Sequence, residues 1–304
     1  MEKETFRIVV CLKVIHQLCS ERGFDPVKRT MDPEYLVRMV NPSDEYAMEM
    51  ALLLKERIQE RGARAEIFGL SIAQADDEGT LKRCLAMGAD RAFRVWEEGF
   101  GTLSGMAMAY LLSAGIRRIG GDLILCGKKA VDMNGNEVGG YLAEFLQFPQ
   151  VSGVTSIDLS EKGDGLVCRR RVERLGWDLV ETSIPVVLTV ERGENEPRYP
   201  NLYSILHWLE KEVEVLDMTS LGVEANRLGE WNSVVQITEW SRPKPKKVFT
   251  PKSDLPPEER IRLAMTGGMD KKKTNFLQGE TKEIASQVVG LLLKQKFFKE
   301  GGEK

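Results

Sequence analysis

The sequence predicts an α/β fold: a mostly parallel Rossmann-like sheet with helices on both faces, antiparallel additions and an extended C-terminal arm. Three observations carry this. Strand-length runs recur at 6–14, 65–70, 91–95 and 123–126, the first and last of them dominated by apolar residues as strands buried on both faces read. Between them lie segments whose apolar residues repeat at helical spacing. Beyond residue 222 periodicity fades, and Pro243, Pro245, Pro251, Pro256 and Pro257 appear among many lysines, which suits an extended arm.

Taken in order, Phe6–Val14 is a buried first strand. Residues 16–40, punctuated by Gly23, Pro26 and Pro33, read as a long irregular excursion. A helix begins at Asn41-Pro42-Ser43-Asp44. Asn41 or Ser43 can cap it, Pro42 suits its first turn, and Asp44 and Glu45 complement its dipole. Ala47, Met50, Ala51, Leu54 and Ile58 form its apolar stripe, and Gly62 ends it. A strand over Ala65–Leu70, a helix over Asp76–Met87 closed by Gly88, a strand over Arg91–Val95 and a helix over Leu103–Ile116 follow. In that last helix Leu103, Met106, Tyr110 and Ala114 are expected to face inward.

The stretch from Leu123 to Phe148 organises the rest. Leu123–Cys126 is a strand, a polar loop holds Asp132, Asn134, Gly135 and Asn136, and Val138, Tyr141, Leu142, Phe145 and Leu146 mark a helix. Strand, glycine-containing loop and helix leave free backbone N–H groups at the helix start, where the dipole favours an anion such as phosphate. The same pattern also makes an ordinary strand-to-helix turn. Neither GxxxxGK[ST] nor GxGxxG is present. In a doubly wound sheet ligands bind beyond the carboxyl ends of the strands at the topological switch. The loops after the first strand, at Asn41 and at Asp132 are thus candidates to share one pocket.

After Pro149, strand-like runs at Val151–Leu159, Leu166–Val172, Trp177–Thr182 and Pro185–Val190 read as antiparallel additions. Arg169-Arg170-Arg171 reads as a solvated strand face or a meeting point for an acidic partner. A turn at Asn195–Pro200 leads to a helix at Leu202–Leu209, and Thr281–Phe297 is an amphipathic helix with Ile284, Val288, Leu291 and Leu292 on one face. The expected division is a nucleotide-binding α/β domain over 1–222 and a partner-wrapping arm and helix over 223–304.

Composition narrows the function classes. With 304 residues, 42% hydrophobic and 29% charged, the chain suits a globular protein with a proper core. A net charge of −3 gives no basic excess for nucleic acid or membrane surface. No apolar run nears the roughly 20 residues of a membrane span, and the apolar run of the N-terminus is too short for a secretory signal. Cys11, Cys19, Cys84, Cys126 and Cys168 form no CxxC pair, as expected of reduced thiols in a cytoplasm. With only His16 and His207, a multi-histidine metal site is not expected. A nucleophile–base pair is likewise not visible.

Asn41-Pro42 opening a helix, LAMGADRA at 85–92, CGKKAVD at 126–132, Phe148-Pro149-Gln150-Val151 and NEPRYPNL at 195–202 occur in this order. In this the sequence resembles the electron-transfer flavoprotein β subunit, from residue 6 to about 222 and again near Gln278. The resemblance implies an electron carrier rather than an enzyme. It would be one half of a heterodimer in which the α subunit holds a redox FAD and the β subunit supports it. Partners would be the α subunit, flavin-dependent acyl-CoA or related dehydrogenases, and a membrane-linked quinone oxidoreductase; no nucleic acid is implied. The β subunit would hold a structural AMP, or a second FAD in electron-bifurcating members. Its site would be Cys11, then Asn41, Pro42, Ser43 and Asp44, then Asp132, Met133, Asn134, Asn136, Glu137, Val138 and Gly139.

The sequence departs from the pattern at Met133, where an acidic residue is usual, and at Glu137-Val138, where many members have Gln-Thr. Val138 offers phosphate no hydroxyl, and Glu137 is expected to point outward while backbone N–H groups of 136–139 bind. Before NEPRY, Arg192-Gly193-Glu194 replaces an apolar docking anchor, so docking is expected to lean on charge. The other classes are a nucleotide-binding hydrolase or ligase of the same fold, which lacks its glycine cluster in CLKVIHQ, and a sensing module of the universal-stress type, usually far shorter.

Overall fold

The computed structural model describes residues 5–98, 100, 103–161, 165–172, 176–193, 195–224, 228–229, 231, 250–265 and 279–294. The chain forms two compact units, Met1–Ser241 and Arg242–Lys304.

In the first unit, strand β1 (Phe6–Leu12) alternates between two cores. Ile8, Val10 and Leu12 join one core and Val9 and Cys11 the other, the period-2 geometry of a strand covered on both sides. The segment after it is more ordered than its sequence suggests. β1 stops at Leu12, and β2 (Val14–Leu18) pairs antiparallel with β5 (Leu36–Val40). The short β3 (Phe24–Asp25) and β4 (Thr30–Met31) close the intervening tip. This corrects the expectation of an irregular excursion over 16–40. The prolines that suggested it lie outside the paired strands, and Pro33 opens a single helical turn.

Helix α1 (Pro42–Glu60) carries proline in its first turn and acids at Asp44 and Glu45, and it ends before Gly62 at φ 79°. β6 (Ala65–Ile72), α2 (Glu78–Leu85), β7 (Arg91–Val95), α3 (Gly105–Ile119), β8 (Leu123–Gly127) and α4 (Val138–Leu146) continue the alternation. α3 is capped by Ser104, whose Oγ accepts from Ala107 N at 3.2 Å. Of the expected inward face Ala114 is buried, whereas Leu103, Met106 and Tyr110 are only partly so, and Ala107, Leu111 and Ile116 are fully buried instead.

β9 (Gln150–Leu159), β10 (Gly165–Val172) and β11 (Gly176–Ser183) form antiparallel additions, as expected. β12 (Val186–Val190) is not one of them: it runs parallel to both β8 and β9 and is wholly buried. Its unbroken VVLTV is the signature of a central parallel strand. After α5 (Leu202–Glu210), β13 (Glu214–Leu216), which was not anticipated, adds to β7 in parallel. Among the described residues the sheet has nine strands in the order β11-β10-β9-β12-β8-β1-β6-β7-β13. α1 and α2 cover one face, α3 and α4 the other. Val223, Leu228 and Trp231 pack on the α3–α4 side.

In the second unit Pro257–Met265 is helical, within a stretch read as extended. Thr281–Lys294 is a helix with Val288, Val289, Leu291 and Leu293 exposed; residues 295–297 of the expected helix lie outside the described residues. Among the described residues no helix is long and apolar enough to cross a membrane.

Candidate functional site

The strand order reverses at β1, whose neighbours are β6 on one side and β8 on the other. Beyond the carboxyl ends of β1 and β8 lies a cleft of about 180 Å³, at the position where doubly wound sheets bind ligands.

Its frame is built on Asp44, a buried residue in the first turn of α1. Oδ2 accepts from Lys13 N at 2.8 Å, just past β1. Oδ1 accepts from Gly127 N at 2.9 Å, the last residue of β8, and from Asn41 Nδ2 at 3.1 Å. One carboxylate therefore ties together the ends of two adjacent strands. Asn41 extends the knot: Nδ2 also donates to Lys129 O at 3.1 Å, and Oδ1 accepts from Val131 N at 3.2 Å. The side chain expected to cap α1 instead holds the loop after β8, and makes no capping bond. Burial pushes the Asp44 carboxyl up to about 7, against the pull of its hydrogen bonds to Lys13, Asn41 and Gly127. Gly127 cannot be larger, because a Cβ there would collide with Asp44 Oδ1.

The cleft floor is apolar. Cys11 and Cys126 are register partners on β1 and β8, and burial raises both thiols, Cys126 to about 12. They stay protonated at neutral pH and serve as wall rather than nucleophile. Gly139 lets the first turn of α4 seat tightly, since a Cβ would meet Thr189 Cγ2 on β12.

The rim is charged. Lys13 Nζ lies 2.7 Å from Asp132, and Lys128 Nζ 3.0 Å from Glu191. Lys129 makes no ion pair among the described residues. The starts of α3, at Ser104-Gly105, and of α4, at Glu137-Val138, both line the cleft, so the unsatisfied N–H groups of two helix termini adjoin it.

Of the residues singled out from sequence, Cys11, Asn41, Asp44, Met133, Glu137 and Val138 line the cleft. The others stand behind or beside it. Pro42 begins α1, Ser43 packs against Gly127, and Asp132 holds Lys13 and accepts from Met133 N at 2.7 Å. Asn134 turns the loop at φ 52°, a conformation Asn tolerates, and Asn136 is exposed. Glu137 lies across the cleft against Gly105, where a Cβ would collide with its carboxylate; the outward orientation expected for it is not adopted. Sequence reasoning missed the α3 wall of Leu103, Ser104, Gly105 and Met108, which reads as ordinary core, and the run Lys128-Lys129, whose signal was two cations directly after a buried strand. Among the described residues no group of three or more His, Cys, Asp or Glu could hold a metal.

A second feature sits away from the cleft. Arg198 donates from Nη2 to the buried Glu49 Oε1 at 2.8 Å, from its backbone N to Glu49 Oε2 at 2.9 Å, and from Nη1 to Glu56 at 2.8 Å. This pins the segment that presents Tyr199, 97% exposed, and the exposed Leu202 and Tyr203 of α5. Of the expected docking element, Arg192 and Gly193 precede it, and Glu194 lies outside the described residues.

A family model described as the electron transfer flavoprotein domain matches residues 31–220. The electron transfer flavoprotein subunit beta of Thermoanaerobacterium thermosaccharolyticum is 32% identical over 78% of this chain and 88% of its own length. Subunit CarD of the caffeyl-CoA reductase-Etf complex of Acetobacterium woodii is 30% identical over 76% and 86%. The acryloyl-CoA reductase electron transfer subunit gamma of Anaerotignum propionicum is 30% identical over 89% and 96%.

Proposed function

Because this chain belongs to the electron transfer flavoprotein β-subunit family, a family of electron carriers rather than enzymes, we propose that it acts as one half of an α/β heterodimer. In this reading it supports the FAD of an α subunit and keeps an adenine nucleotide, AMP, in its own cleft. FAD supplies the chemistry by accepting electrons from one partner and releasing them to another. This chain supplies a fixed seat and a binding surface.

The observation that carries the nucleotide reading is the cleft at the β1–β8 switch, with its strand ends already tied by Asp44 and Asn41. Its residues fit a nucleoside monophosphate. The apolar floor of Cys11, Cys126, Ile72 and Leu112 suits a base. Lys129 and the open N–H groups at the start of α4 suit one phosphate, each charge-assisted bond contributing roughly 1.5–3 kcal/mol. Lys13 and Lys128 are already matched by Asp132 and Glu191, which limits how much further negative charge the rim can accept. The exposed apolar face of the Thr281–Lys294 helix supports a role in holding the α subunit.

One observation favours a variant of this reading. Two relatives carry names tying them to caffeyl-CoA and acryloyl-CoA reductases. In the variant, electrons pass to a CoA-ester reductase rather than toward a quinone-linked acceptor, and a second FAD, as in bifurcating members, replaces AMP. The experiment is to co-express the chain with an α subunit, purify the complex, denature it and quantify released nucleotides. One FAD and one AMP per heterodimer is the expected outcome. Two FAD and no AMP selects the variant, and failure to co-purify rejects the heterodimer.

A further inference from the structure

Glu137 is an unmatched carboxylate on the wall of the cleft. It forms no ion pair or side-chain hydrogen bond among the described residues, although it occupies the position where a side chain would cap α4. Its side chain lies instead over Gly105 at the start of α3, with Oε1 3.9 Å from where a Cβ on Gly135 would stand. The polar loop 132–137 and α3 thus face one another across a carboxylate.

The charges around it are otherwise settled. Lys13 is matched by Asp132, Lys128 by Glu191, and Asp44 is enclosed by backbone and amide donors. That leaves Lys129 as the one lining cation without a carboxylate partner among the described residues, and Glu137 as its counterpart of opposite sign. A guest with one phosphate brings a single anion to Lys129 and the α4 start, beside a Glu137 whose carboxylate is turned over Gly105. A guest with two adjoining phosphates has to bring its second anion toward the Glu137 carboxylate, which lines the cleft although it is exposed, so the repulsion between the like charges is the screened one of a solvated site.

We infer that Glu137 is a charge filter: it sets the cleft's preference for a nucleoside monophosphate over a nucleotide carrying a pyrophosphate, and it is a specificity-determining residue of this site. The inference rests on the nucleotide reading given above. It gives Glu137 a role opposite to that of a phosphate ligand, since removing its charge strengthens the binding of one class of guest.

The test uses the α/β heterodimer refolded with FAD and without AMP, titrated calorimetrically with AMP and with ADP, whose extra phosphate stands in for a pyrophosphate. The wild type should bind AMP at least about tenfold more tightly than ADP, the scale expected of one screened like-charge contact. Glu137→Gln, which keeps shape and removes charge, should bring the two within about threefold, mainly by tightening ADP. Glu137→Asp should retain the wild-type order. Equal affinities in the wild type, or a ratio unchanged by Glu137→Gln, overturns the filter while leaving the nucleotide site intact. Binding of neither nucleotide by wild type or variant overturns the nucleotide reading itself.

Discussion

β8 and β11 belong to one sheet and could hardly be more different. Leu123, Ile124 and Leu125 of β8 are 0% exposed, while Trp177 and Leu179 of β11 are 48% and 75% exposed. β8 has helices on both faces and parallel neighbours on both sides. Among the described residues β11 is the edge of the sheet and pairs only with β10, with Arg169 stacked over Trp177 at 4.3 Å and Arg170 paired to Asp178 at 3.0 Å. The contrast teaches that one continuous sheet carries two kinds of order. At its centre, stability is built from burial and from polar groups with no access to water. At its edge, the same backbone ladder is left with apolar side chains that face outward, ready to meet another surface.

Three substitutions break or sharpen that contrast. The largest effect belongs to Asp44. Asp44→Ala leaves Lys13 N, Gly127 N and the Asn41 amide without their acceptor at the sheet's centre. Three orphaned donors should cost about 3 kcal/mol or more in denaturant unfolding. The pH dependence has a definite sign. A carboxyl raised from 3.8 to about 7 in the fold contributes stability that is complete below pH 3.8 and lost as pH rises through about 7. The Asp44 contribution should thus fall between about pH 4 and 7, and Asp44→Asn should flatten that portion of the profile. A profile identical in the two proteins would show that folding does not shift the titration of Asp44.

An intermediate effect is expected at Arg198, where an exposed segment is fastened to a buried carboxylate. Arg198→Ala strands Glu49, 5% exposed, and should cost about 2 kcal/mol, below the 3–5 kcal/mol of a fully buried pair because Arg198 itself is partly solvated. Arg198→Lys should recover only part, since a point charge cannot reproduce the fork between Glu49 and Glu56. Equal stability of all three proteins in denaturant would mean that α5 is held by its other contacts.

The smallest effect is expected at the edge. Leu179→Ser should change the unfolding free energy of the chain by no more than about 0.5 kcal/mol, because little apolar area leaves the interior. A loss above about 1 kcal/mol would mean that β11 is structurally closer to β8 than its exposure indicates.

The contrast also explains what the sequence could tell. The parallel centre was legible because burial on both faces writes itself as unbroken apolar runs, and because Asn41-Pro42 and Gly62 punctuate α1. VVLTV carried the same message, yet was read with the hairpin strands before it; only pairing with β8 and β9 makes β12 central. The 16–40 segment misled because β2 and β5 pair across a gap whose prolines look like breaks. The three loops chosen by the switch-point rule meet at one cleft, which Cys11, Asn41 and Asp44 line. The rule could not supply the α3 wall, since Leu103 and Met108 look like any helix core, nor the inward turn of Glu137, which depends on Gly105 leaving room. Spacing reports which face a residue shares, and is silent on which distant backbone will come to meet it.

The Asp44 knot has a kinetic consequence. The ends of β1 and β8 are fastened to α1 by this chain's own side chains, not by a guest. The cleft is therefore preorganised, and little conformational freedom is surrendered when a ligand arrives. Entry need not wait for a slow rearrangement, so differences in affinity among guests should appear as differences in residence time, with the rate of arrival nearly common to all.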